Sequence, residues 1–315
     1  MKKVIFINSK GEKLTIYKSP YFLSRIEGTG ATITHIQTHK SPNQDGESYV
    51  GNVLGYRQIT IEGSIREVNK KRVMQLRQEM LSVLNPKLNL CKLIYKYDGD
   101  IKTIACIIDS STTFPSSLRI VYQQFLIHLY CPDPLWCALE ELNIDLVTWV
   151  PVLEFDEIEG FSTEQAPNYW IETAPEGEGF EEFESGFGIG LNIEFGYRLT
   201  KQIVEIDNAG DIDTPIRIVF RAHGAVEKPY IQDVETRKLL RVNRTLQAGY
   251  VLEITTKFCN KNVYLNGEKA HHYLDYLNST WLQLKPGMNL IKYGAESGVE
   301  VLECRLYYTP RYLGV

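Results

Sequence analysis

Three aspartates fall close together in the stretch V-E-I-D-N-A-G-D-I-D-T-P: Asp207, Asp211 and Asp213, with Pro215 closing it. Clustered oxygens of this kind suit calcium, and paired carboxylates suit general acid and base work. An EF-hand loop needs glycine at its sixth position and glutamate at its twelfth; counted from Asp207 those places hold Ile212 and Ile218. The flanking residues 203–206 and 216–220 read as strands. The segment is therefore expected to be a turn, Asn208-Ala209-Gly210-Asp211, in which Asx side chains cap backbone amides and no metal binds.

The remaining reactive side chains form no catalytic set. His271 and His272 are adjacent, so on a strand they would face opposite ways, and His35 and His39 lack a cysteine or second carboxylate at ligand spacing. Cysteines 91, 106, 131, 137, 259 and 304 include no CxxC pair and mostly sit in apolar runs, which makes them buried free thiols. The chain holds no G-x-S-x-G elbow, H-E-x-x-H pair or P-loop, and Gly186, Gly188 and Gly190 have the wrong spacing for a dinucleotide fold. Lys70, Lys71, Arg72 and Arg77 share one segment, but a pI near 5.8 and the lack of interleaved aromatics argue against nucleic acid. Asn243-Arg244-Thr245 and Asn278-Ser279-Thr280 match the glycosylation pattern, yet the opening M-K-K-V-I-F-I is cut short by Asn8, Lys10 and Glu12 and is expected to be a strand, not a signal peptide. No catalytic, cofactor-binding or metal residue is assigned, and no cofactor is expected.

The charges are segregated. No lysine or arginine occurs between Arg119 and Arg198, a gap that holds sixteen acidic residues. Eighteen basic and ten acidic side chains lie in residues 1–119, and sixteen and thirteen in residues 198–315, within a chain of 315 residues and net charge −5. The densest acidic part, within 154–185, is glycine-rich and is expected to be a loop or insertion with a solvated face.

Strands must position everything else. Residues 58–65, Q-I-T-I-E-G-S-I, alternate polar and apolar with period two. Val121, Phe125, Ile127 and Leu129 share one face of another strand and Tyr122, Leu126, His128 and Tyr130 the other, which predicts cover on both sides. One helix is expected over 67–84, with Val73, Leu76, Met80, Val83 and Leu84 on its apolar stripe and Asn85-Pro86 ending it. The prolines of Cys131-Pro132-Asp133-Pro134 mark the end of an N-terminal β domain, 1–133. Residues 134–315 carry hairpin signals, Asn266-Gly267 and Lys285-Pro286-Gly287, at the spacing of a jelly-roll sandwich.

An ordered series of pieces carries a resemblance. I-D-N-A-G-D-I-D-T-P-I-R-I, then Leu246-Gln247-Ala248-Gly249-Tyr250, then Val263-Tyr264-Leu265-Asn266-Gly267, then Leu284-Lys285-Pro286-Gly287-Met288-Asn289-Leu290, is similar to the C-terminal module of the distal tail proteins of long-tailed bacteriophages. The N-terminal half resembles the same family more loosely, and residues 154–185 correspond least. The resemblance implies a mainly-β, non-enzymatic structural protein: an N-terminal ring-forming domain and a C-terminal galectin-like sandwich. It implies a homohexameric hub in the virion, assembled in the host cytoplasm, that joins the tail tube protein to a tail-associated, fibre-like protein and to receptor-binding protein, with no nucleic acid and no membrane insertion. A lectin-like carbohydrate-binding module is the alternative, since exposed Tyr and Trp can stack on sugars, and a glycoside hydrolase is the distant third.

Overall fold

The structure, a computed structural model, describes residues 2–30, 32–115, 122–146, 148–149, 198–199 and 203–315. Met1–Leu146 and Gln202–Val315 form one compact unit and Val147–Lys201 another. Of the second unit only the short antiparallel strands Thr148–Trp149 and Arg198–Leu199 are described. The acidic, glycine-rich stretch 154–185 and Gly186, Gly188 and Gly190 lie outside the described residues.

Alternating side chains build the N-terminal sheet. Its antiparallel order is Lys13–Ile16, Lys3–Ile7, Cys91–Tyr97, Asp100–Ile108, Tyr122–Cys131, Arg57–Arg66, Tyr21–Glu27. The first and last of these strands meet at a bridge between Tyr17 and Phe22, so the sheet curls back on itself. Val4, Phe6, Leu14, Ile16, Ile59, Ile61, Ile65, Leu93, Phe125, Ile127 and Leu129 fill the inside. Position 63, in phase with Ile61 and Ile65, is held by glycine, where a Cβ would come within 2.3 Å of Phe125 Cζ and 2.4 Å of the Phe22 carbonyl oxygen. The Tyr122–Cys131 strand differs from expectation: Phe125, Ile127 and Leu129 are buried, but Tyr122, Leu126, His128 and Tyr130 are only half-buried. One face meets the core and the other is partly wet.

The helix runs Lys70–Val83 and starts three residues later than the expected 67. Asn69 is the reason: its side chain accepts from Lys71 N at 2.9 Å, which satisfies one of the orphan amides of the first turn. Val73, Leu76 and Met80 face the sheet, joined by Leu84 just past the helix end. Each buried side chain of this size contributes about 1.5–3 kcal/mol. Tyr21 fixes the packing by donating its hydroxyl to the Leu76 carbonyl at 2.9 Å, and burial pushes that phenol up to about 12. No helix among the described residues is long and apolar enough to cross a membrane.

The C-terminal region is a sandwich of two antiparallel sheets. One has the order Leu142–Asp145, Leu302–Tyr308, Thr214–Ala222, Val251–Lys257, Asn260–Leu265, Glu268–Lys269; the other has Ile203–Asn208, Gly287–Gly294, Tyr230–Asp233, Leu239–Arg241. Ile216, Ile218, Phe220, Leu252, Ile254, Cys304 and Leu306 of the first and Ile206, Ile231, Leu240, Ile291 and Tyr293 of the second are buried. The Asn266-Gly267 hairpin has φ of 51° and 85°, the left-handed pair that a type I′ turn requires.

Lys285-Pro286-Gly287 is not a hairpin. Gln283–Leu284 pairs with the start of Thr214–Ala222 in one sheet, while Gly287–Gly294 pairs with Ile203–Asn208 in the other. The turn is a corner that crosses between sheets. The 208–214 segment is a second corner of the same kind, and the two lie side by side.

Candidate functional site

Each of the two corners is organised by one buried asparagine. Asn208 Oδ1 accepts from Gly210 N at 3.1 Å, and its Nδ2 donates to the carbonyls of Leu284 at 3.0 Å and Ile212 at 3.3 Å. Asn289 Oδ1 accepts from Lys285 N at 2.9 Å, and its Nδ2 donates to the carbonyls of Lys285 and Gly287, both at 2.8 Å. Two amides thus satisfy backbone groups that ladder pairing cannot reach at a corner.

The three aspartates of this stretch diverge. Asp207 contributes its backbone carbonyl, which accepts from the Tyr308 hydroxyl at 3.0 Å. Asp211 holds the C-terminal tail: its amide donates to the Arg311 carbonyl at 2.8 Å and its Oδ2 accepts from Leu313 N at 2.9 Å. Asp213 is exposed and turns toward a cleft. Among the described residues no group of three or more His, Cys, Asp or Glu could hold a metal ion.

The other candidates separate likewise. His35 and His39 are exposed on the strand Thr34–His39. His271 and His272 lie in a single 3-10 turn, His271–Tyr273, rather than on a strand, and contact Trp281 and Tyr273 respectively. All six cysteines are free thiols; Cys91, Cys106, Cys131 and Cys304 are buried, but Cys137 is half-buried and Cys259 is exposed in a turn with φ of 60°. Burial pushes the Cys131 thiol up to about 12, and Cys106 and Cys304 also rise, so these sulfurs stay protonated. On the helix, Arg72 reaches Glu79 at 3.3 Å and Arg77 lies 4.3 Å over the Phe114 ring, which spends two of the four basic side chains locally.

Two features emerge that motif reading missed. The first is a seam between the N-terminal sheet and the chain's end. After the prolines stop the Tyr122–Cys131 strand, pairing resumes: Trp136–Ala138 pairs with Asp100–Ile108 on one side and with Arg311–Tyr312 on the other. Arg57, fully buried, donates from Nε to the Pro134 carbonyl at 2.6 Å, from Nη1 to Gly28 at 2.6 Å and from Nη2 to Leu313 at 2.5 Å. Burial lowers its pKa. Trp136, also fully buried, donates its indole N–H to the Thr29 carbonyl at 3.1 Å, and Arg311 pairs with Asp133 at 2.5 Å. The signal for Arg57 was in the sequence, since it stands in phase with Ile59, Ile61 and Ile65 on the apolar face.

The second is a hairpin, Thr34–His39 with Ser48–Leu54, that pairs with no other described strand. Ile36, Val50, Val53 and Tyr49 are 55–66% exposed on it. An isolated two-stranded hairpin is marginal in water, and exposed apolar strands invite pairing.

A chain with a curled sheet capped by a helix, a sandwich stitched to it, and an exposed apolar hairpin that pairs with no other described strand has the form of a building block for a larger assembly. Residues 9–131 match the family described as phage tail protein RIFT-related domain, and residues 209–312 match the siphovirus-type tail component, C-terminal domain. The chain belongs to this distal tail protein family of long-tailed phages. Its fold is similar to that of a solved structure described as SPP1 Dit (gp 19.1) protein, a paradigm of hub adsorption apparatus in Gram-positive infecting phages, at 12% identity, TM-score 0.65 and 98% coverage of both chains. It is also similar to a chain of the phage P2 baseplate in its activated conformation with Ca, at 11% identity, TM-score 0.51 and full coverage of both. Among curated protein sequences none matches.

Proposed function

We propose that this phage tail component acts as a homohexameric hub at the tail tip, a scaffold and not an enzyme. The observation that carries the ring is the Thr34–Leu54 hairpin. Its apolar residues Ile36, Tyr49, Val50 and Val53 are exposed among the described residues, and a neighbouring copy would cover them. The N-terminal region, residues 1–133, makes the ring and docks on the tail tube protein, and the sandwich, with the acidic 154–185 stretch beside it in sequence, projects toward the tail-associated, fibre-like protein and the receptor-binding protein. The ring assembles in the host cytoplasm and ends in the virion. The hub reading is supported by the family and by the likeness to solved tail-tip proteins.

Light scattering and negative-stain electron microscopy on the purified chain test this. Six-fold rings are expected. Val50→Lys with Val53→Lys should abolish them without lowering the melting temperature, because neither residue belongs to a core. Monomers at every concentration and salt, or rings untouched by the double variant, would remove the basis of the assignment.

A further inference from the structure

Three cysteines and one arginine form a single row across four strands of the N-terminal sheet. Cys91 stands opposite Cys106 where Cys91–Tyr97 pairs with Asp100–Ile108, and Cys131 stands opposite Arg57 where Tyr122–Cys131 pairs with Arg57–Arg66. Between those pairs Ile108 faces Leu129 and Ile107 faces Tyr130, so the next step of the register sets Cys106 opposite Cys131. All four side chains are buried. We propose that Cys106 and Cys131 are the site of a cross-strand disulfide that forms in the folded chain on exposure to hydrogen peroxide and clamps these two strands together. The bridge itself does not depend on ring formation. Its use does rest on the tail-tip reading, since a virion component leaves a reducing cytoplasm for a medium that permits disulfides.

The alternation of an antiparallel ladder selects this pair. Asp109 N donates to the His128 carbonyl at 3.1 Å, which marks Asp109 and His128 as a hydrogen-bonded pair. Ile108–Leu129 is then non-hydrogen-bonded, Ile107–Tyr130 hydrogen-bonded, and Cys106–Cys131 non-hydrogen-bonded. Such a pair brings its Cα atoms to about 4.5 Å, against about 5.5 Å for the hydrogen-bonded kind, and its side chains are closer. A disulfide needs Cβ atoms about 3.5–4.5 Å apart, which the narrow pair suits better. The main-chain groups of Cys106 point the other way, toward Cys91, so Cys91–Cys106 is the wide pair. Cys91 is also engaged elsewhere, its thiol donating to the Asn89 carbonyl at 3.1 Å. A row of single residues on successive strands does not converge on one point, and among the described residues no group could hold a metal ion.

The chemistry is balanced and guarded. Cys131 attacks peroxide, the O–O bond breaks, and a sulfenic acid and one water form. Cys106 then attacks that sulfur, the S–O bond breaks, and a second water leaves with the remaining thiol proton. The two thiols lose two electrons and two protons, and peroxide is reduced to two waters. Burial raises the Cys131 thiol to about 12 although the neighbouring Arg57 guanidinium lowers it, so the closed site reacts slowly. The entry is the strand end. Pro132 follows Cys131 and has no amide to continue the ladder, so this end opens at lower cost than the ten-pair ladder on the Arg57 side.

The test treats the full chain with hydrogen peroxide under native conditions, with Cys259→Ser to remove the exposed thiol that would link molecules. After alkylation, intact mass should show the loss of two hydrogens. Digestion at aromatic residues, which separates Cys131 from Cys137 at Trp136, should show Cys106 joined to Cys131. The bridged chain should melt higher by about 5 °C or more, because the cross-link restricts the unfolded chain, and dithiothreitol should reverse the shift. Cys91→Ala should keep the bridge, while Cys106→Ala and Cys131→Ala should each lose both the bridge and the reversible shift. Should either of these core variants fail to fold, the map of the Cys259→Ser chain decides. Failure to bridge under conditions that oxidise Cys259 in the unsubstituted chain would overturn the proposal. So would a bridge that forms only in urea, a bridge that joins Cys91 to Cys106, or a bridge that leaves the melting temperature unchanged. None of these outcomes bears on whether the chain forms rings.

Discussion

The guanidinium of Arg57 donates to the carbonyl of Leu313 at 2.5 Å across 256 residues of sequence. With Pro134 and Gly28 as its other acceptors, one buried side chain ties the N-terminal sheet, the post-proline segment and the chain's end into a single unit. A buried carbonyl deprived of its donor costs about 1–3 kcal/mol, and three are at stake here, partly relieved by entering water. Arg57→Ala is therefore expected to lose about 3–5 kcal/mol in a urea titration. Arg57→Lys should recover only part, because one ammonium cannot reproduce a planar fork. A loss below about 1 kcal/mol for Arg57→Ala would mean that the seam contributes little to stability.

Gly210 reports on the same seam from the sandwich side. A Cβ at this position would lie 2.6 Å from the Arg311 carbonyl oxygen and 2.8 Å from its nitrogen. Backbone cannot yield as a flexible side chain can, so Gly210→Ala should push Arg311–Tyr312 off Trp136–Ala138 while both cores persist. Hydrogen exchange should show lost protection in residues 311–315 and little change in Ile59–Ile65. Unaltered exchange at the C-terminus would contradict this placement of the chain's end.

Much of this architecture was legible because burial imposes a period. The alternation in Arg57–Arg66 and the three- and four-residue spacing of Val73, Leu76 and Met80 mark a half-buried strand and a one-sided helix. The Asn266-Gly267 turn was equally readable, since few residues accept two successive left-handed conformations. What local pattern cannot state is which sheet a strand joins. Lys285-Pro286-Gly287 has the residues of a hairpin turn, but its flanking strands pair with different sheets. The seam was hidden for the same reason: the partners of Arg57 and Trp136 are backbone carbonyls at distant places, and carbonyls carry no sequence signature. The failed calcium spacing made the 208–211 turn and its Asx cap readable, and Asn208 supplies that cap; its reach across to the Leu284 carbonyl was not readable.

The helix gives a direct contrast. Leu76 is 2% exposed and shares a core with Tyr21 and Ile65, while Lys71 is exposed. Leu76→Ala should cost about 2–5 kcal/mol, the range for truncating a buried aliphatic, and Lys71→Ala under about 0.5 kcal/mol. Thermal unfolding of the two variants decides the point, and equal shifts would put the helix in a different rotational phase.

Acid should loosen the sandwich through Asp275. Its carboxylate accepts from the Asn278 side chain at 3.0 Å and from Arg241, whose Nη2 lies at 2.5 Å, and these contacts hold its pKa at about 2 rather than the usual 3.8. The folded value lies below the unfolded one, so the folded state favours the ionised form. That contribution is complete above about pH 4 and is lost as pH falls through the folded value near 2. Other carboxylates titrate in the same window, so the informative quantity is the difference between the intact chain and Asp275→Asn. The gap in melting temperature between them should be widest above pH 4 and should narrow steadily toward pH 2, as the protonated aspartic acid comes to resemble the amide. Added salt should shrink the gap only modestly, because the carboxylate is almost fully covered and direct hydrogen bonds are screened less than an exposed ion pair. A gap that stays constant from pH 6 to pH 2 would show that the ionised form of Asp275 has no special place in the folded sandwich.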